Sequence, residues 1–145
     1  MPINKVEFTE LEEKIAKNRK PVLYYLAPEM GKAYVVSITR DKCPACKKQK
    51  PKMTELAKAM KKKHGDKVVF TQIHVKYSSN DNAESLRAKD VFGHYFYPTN
   101  MILLKSRDRG AFEYYKNASP SMGELRKNIE AALRVAEAFE HEAKS

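Results

Sequence analysis

Tryptophan is absent from the 145 residues, glutamine occurs only at Gln49 and Gln72, and cysteine only at Cys43 and Cys46. There is no apolar run of membrane-spanning length, and no repeat, low-complexity tract or linker. Two cysteines cannot build a disulfide framework, and at 42% hydrophobic the chain needs none to form a core. One domain over residues 1–145 is therefore expected. The opening stretch MPINKVEFTE turns acidic and polar and lacks the apolar middle of a secretory signal. That predicts an intracellular, cytoplasmic protein with no membrane association.

What is abundant is lysine. Lys and Arg number 28 against 18 Asp and Glu, a formal charge of +10. Such a balance suits nucleic acid, an anionic membrane or an acidic protein partner. The lysines are spread over every segment and no DNA or RNA recognition motif accompanies them, so nucleic acid is not the expected partner.

Periodicity gives the elements. Thr9 with Glu12 has the capping-box spacing, and Leu11 and Ile15 then share one face of a short helix that Pro21 ends. Val22–Leu26 and Tyr34–Ile38 read as two strands across the turn-like APEMGK, an extra strand or hairpin within 22–38. From Pro44 to about Lys63, Cys46, Met53, Leu56, Ala57 and Met60 recur at helical spacing. Val68–Val75 (VVFTQIHV) reads as a buried strand. A short helix from Asp81 and Glu84 ends near Gly93. Asn100–Lys105 and Ala111–Tyr115 form a hairpin across SRDRG, and Ser121 with Glu124 caps a final helix striped by Leu125, Ile129, Leu133 and Ala136. The order α-β-β-α-β-α-β-β-α predicts an α/β fold, a mixed sheet with helices on both faces.

The chemistry concentrates in residues 39–53, TRDKCPACKKQKPKM. With Cys43 as N-cap, Pro44 takes the first helical position, where its missing N–H costs nothing. The N–H groups of Ala45 and Cys46 then point at the Cys43 sulfur, and a thiolate there caps the positive helix end. Arg40, Lys42 and Lys47 add cationic field, and Asp41 opposes it. These effects predict a Cys43 pKa lowered from about 8.5 to roughly 5–7, which makes Cys43 the attacking thiol. Cys46, one turn further in on the apolar face, suits a resolving role. Pro51 cannot donate to the Lys47 carbonyl, so a kink is expected there.

A Cys-x-x-Cys at a strand-to-helix junction, with a proline five residues beyond, resembles the thioredoxin superfamily. The stretch FGHYFYPTNMILL at 92–104 strengthens the resemblance. It is similar to the family segment in which a helix ends at glycine and leads through a cis-proline into a strand. The resemblance covers roughly residues 33–140 and implies a thioredoxin-like fold. It implies a protein-disulfide oxidoreductase with Cys43 and Cys46 catalytic and Pro44, Ala45 and Pro51 supporting them. It also implies a cis Tyr97–Pro98 bond, with Tyr97 and Pro98 docking the substrate strand. Partners would be disulfide-containing proteins and an unidentified reductase or oxidant; no cofactor is implied, since the sulfurs carry the electrons.

The family's buried acid falls on Ser37, and its active-site tryptophans on Thr39 and Lys42. A glutaredoxin-like, glutathione-dependent enzyme is an alternative, although SRDRG stands where such proteins carry Gly-Gly. A thioredoxin-fold binding module without redox turnover is another. A zinc site would need four ligands, and His64 and His74 complete no common spacing with the cysteines. His94 and His141 read as surface histidines. Tyr95, Phe96 and Tyr97 read equally as an apolar rim or as loop packing. Lys47, Lys48, Lys50 and Lys52 read as a solvated helix face.

Overall fold

The computed structural model describes residues 3–144. In chain order the elements are β1 (Ile3–Glu7), α1 (Phe8–Asn18), α2 (Val22–Leu26), β2 (Ala33–Arg40) and α3 (Pro44–His64). A single 3₁₀ turn (Gly65–Lys67) leads to β3 (Val68–Val75), α4 (Ala83–Phe92), β4 (Thr99–Lys105), β5 (Ala111–Asn117) and α5 (Met122–Lys144). The sheet order is β1-β3-β2-β4-β5, with β1, β3 and β2 parallel and β4 and β5 antiparallel. This is the mixed sheet that the element order predicts.

Alternation along β2 divides the core in two. Ala33 and Val35 face α3 and α5, packing with Met53, Met60, Phe70, Ile102, Leu125 and Ile129. Tyr34, Val36 and Ile38 face the other way, with Phe8, Leu11, Ile73, Phe92 and Met101. The same alternation puts Ser37 and Thr39 on the α3 face, at the end of β2 that leads into the cysteines.

Three sequence expectations need correction. Val22–Leu26 is the helix α2, not a strand, so no extra hairpin exists at 22–38. Its β-rich composition lost to topology: β2 already has β3 and β4 as neighbours, and the slot beside β3 goes to β1. That first strand, INKVE, precedes the first helix; its half-exposed, polar pattern hid it. Glu7, not Thr9, caps α1, in a capping box whose return bond runs from the Glu7 N–H to the Glu10 carboxylate at 3.3 Å. The chain leaves α1 through Arg19 at φ +54°, ahead of Pro21.

Candidate active site

β2 delivers the site. The Asp41 N–H donates to the Val75 carbonyl at 3.1 Å, and Lys42 at φ +54° turns the chain into α3. Cys43 is the N-cap in extended conformation and Pro44 the first helical residue. The Cys46 N–H donates to Cys43 Sγ at 3.1 Å; the Ala45 N–H, expected to do the same, makes no such bond. Cys43 and Cys46 are joined as a disulfide with their Cα atoms 5.2 Å apart. Exposure does not distinguish the two, at 4% and 9%, but the N–H aimed at Cys43 and its place at the helix end do. α3 runs through Pro51 to His64, so this proline does not end the helix.

The segment after α4 closes over the same sulfur. Gly93 at φ +68° ends α4, and the Tyr97–Pro98 peptide is cis. The Tyr97 carbonyl oxygen lies 3.5 Å from Cys43 Sγ, so residues 97 and 98 border the cysteine pair. Tyr97 is anchored at its other end: its hydroxyl accepts from Ser85 Oγ at 3.1 Å and donates to the Ser85 carbonyl at 3.3 Å. Burial pushes its phenol pKa up. The Arg40 guanidinium stacks over Tyr77, 3.8 Å from the ring centre, and reaches toward Tyr97. Tyr95 and Phe96 point outward at 82% and 67% exposure, which decides the rim-or-packing question for those two in favour of a rim.

His94 is not a surface residue. It is 3% exposed, packs edge-on against Tyr97, and neither ring nitrogen has a hydrogen-bond partner among the described residues. Burial, with help from the charges of Lys89 and Lys116, lowers its pKa to about 4. A neutral ring avoids the cost of a buried charge.

Behind the cysteines stands a neutral network that sequence reasoning missed. Gln49 Nε2 donates to Ser37 Oγ at 3.0 Å and to Asn100 Oδ1 at 3.2 Å, and Asn100 Nδ2 returns a bond to Gln49 Oε1 at 2.7 Å. Asn100 is fully buried. The signal was available: Gln49 lies one turn beyond Cys46, and it and Gln72 are the chain's only glutamines. Both face the site, with Gln72 Nε2 donating to Thr39 Oγ1 at 3.0 Å. At the rim, His74 donates to Glu7 and to Asp41, each at 2.7 Å. Burial opposes the charged imidazole, but these two carboxylates outweigh it and raise the His74 pKa, while the same bond lowers that of Asp41. The other His named for a metal site, His64, pairs instead with Glu130. No metal-binding cluster forms among the described residues. Nor is any of their helices long and apolar enough to cross a membrane.

No protein-family model and no curated protein matches the sequence. Solved structures do match. Thioredoxin NaTrxh from Nicotiana alata is 23% identical, with 90% of this chain and 94% of that one covered at a TM-score of 0.55. Thioredoxin f2 from Chlamydomonas reinhardtii is 15% identical, covering 90% and 95% at 0.57. A complex of ferredoxin:thioredoxin reductase with thioredoxin f2 matches at 21% identity, 90% and 94% coverage and 0.55. The chain has the thioredoxin fold, with a Cys-x-x-Cys disulfide at the start of α3 beside a cis-proline.

Proposed function

We propose that the protein is a thiol–disulfide oxidoreductase acting on protein disulfides, folded as one domain. The observation that carries this reading is the bonded sulfur pair at a helix N-terminus, with the Cys46 N–H directed at Cys43 Sγ. A helix N-terminus with an N–H donor favours the Cys43 thiolate, the form that attacks disulfides.

In the reduced protein the Cys43 thiolate attacks one sulfur of a substrate disulfide and expels the other as a thiolate, leaving a mixed disulfide. Cys46, deprotonated, attacks Cys43, and the substrate leaves with both its sulfurs reduced. The enzyme ends as the Cys43–Cys46 disulfide, and a partner dithiol must reduce it again. The reductase complex of the thioredoxin f2 neighbour supports a reductase as that partner. Tyr97 and Pro98 offer the substrate its docking edge, with the Tyr97 carbonyl beside Cys43. Pro44, Ala45 and Pro51 shape the helix that carries the pair. Neutral Ser37 and Gln49 behind Cys46, where a charged group would favour one protonation state, support a couple more oxidising than that of a typical thioredoxin.

Insulin disulfide reduction by dithiothreitol, with and without the protein, tests this. Acceleration by the native protein, lost in Cys43→Ser, is expected; equal rates for both would remove the activity. Faster turnover of glutathione mixed disulfides than of insulin would favour the glutaredoxin-like alternative instead.

A further inference from the structure

The α3 face of the sheet changes character along its strands. At one end stand Val35 and Phe70; two and four residues on, the same face carries Ser37 and Thr39 from β2 and Gln72 and His74 from β3. α3 does not close this surface. A cavity of about 290 Å³ runs beneath it, from Ile3, Met53 and Phe70 to the two cysteines. Its size lies near the lower end of the range for sites that bury small organic ligands, ~300 Å³. Short side chains at Ser37 and Thr39 leave the space open.

The charge left unpaired at the mouth is cationic. Lys42, Lys47 and Lys50 line it, are exposed, and have no carboxylate partner among the described residues. The acids at the rim, Asp41 and Glu7, are both engaged by His74, and Asp41 also accepts from the Tyr77 N–H at 3.2 Å. An apolar floor, a polar neck and three unpaired ammonium groups describe the complement of an amphipathic anion.

We propose that this cavity binds a small amphipathic carboxylate. Its hydrocarbon part lies between Ile3, Val35, Met53 and Phe70, and its head lies among Lys42, Lys47 and Lys50. A bound carboxylate there would oppose the cationic field that favours the Cys43 thiolate. That consequence rests on the thiol chemistry proposed above; the binding itself does not.

Octanoate is a suitable probe, titrated into the isotope-labelled, oxidised protein and followed by amide NMR. With about ten non-hydrogen atoms it should bind with a Kd of order 1 mM. Saturable shifts are expected at Val35, Met53, Phe70 and Gln72, with 1-octanol binding more weakly. Lys47→Glu combined with Lys50→Glu should weaken octanoate by about tenfold. Thr39→Leu, which fills the neck, should abolish the shifts while α5 amides stay in place. If Thr39→Leu does not fold, the lysine variant decides, since its changes are on exposed side chains. No saturable shift at the cavity amides, shifts confined to Tyr95 and Phe96, or equal affinity for octanoate and octanol would each overturn the proposal. Insulin reduction is measured separately, so failure of binding and failure of the redox activity are distinguishable.

Discussion

His94 holds a neutral imidazole against Tyr97 with no partner for either nitrogen among the described residues. Its folded pKa of about 4 lies below the unfolded value, so the unfolded chain takes up a proton first as pH falls. The resulting stability is fully present above the ordinary histidine pKa of about 6.5 and is lost as pH falls toward 4. The loss should approach about 3 kcal/mol, an upper figure that relaxation of the loop would reduce. Urea unfolding at a series of pH values measures it, and His94→Phe should flatten that part of the profile. An unchanged profile would mean that His94 charges in place. Sequence alone could not place this residue: one histidine in an aromatic stretch has no period to say which way it faces.

Element against element, Gln49 on α3 and Asn100 on β4 tie the cysteine helix to the strand that begins after Pro98. Losing Gln49 leaves the fully buried Asn100 without its partner, at about 1–3 kcal/mol, whereas losing Asn100 leaves the half-buried Gln49 its bond to Ser37. Gln49→Leu should destabilise by that amount and Asn100→Leu by less, and the double variant by less than their sum. Denaturant midpoints of the four proteins check the cycle; additive losses would mean that the two amides do not act together. At this scale sequence reading did well where burial imposes a period. α3 and α5 follow their apolar stripes, and VVFTQIHV is β3 residue for residue. It failed at α2 and β1, five residues each, too short for a period to outweigh propensity and decided by which sheet edge was free.

For the whole molecule, the +10 charge and the unpaired lysines around the cysteines give long-range attraction for acidic partners. The rate of reaction with an acidic disulfide substrate should fall severalfold between about 50 and 300 mM salt, and that with a neutral peptide disulfide should change little. Stopped-flow rates at several salt concentrations check this, and parallel curves for the two substrates would contradict it. The residues that bear the sulfurs were legible from the Cys-Pro-Ala-Cys spacing, because a local helix start fixes them. Their surroundings were not, because Asn100 and His74 arrive through the sheet register, Gln49 through the packing of α3 on that sheet, and Tyr97 through the segment before β4.

The most direct measurement is the rate of iodoacetamide alkylation of the reduced protein as a function of pH, with the modified cysteine mapped by mass spectrometry. Cys43 should react first, with a midpoint of roughly pH 5–7. Alkylation of Cys46 first, or a Cys43 midpoint near the free-thiol value of about 8.5, would contradict the account.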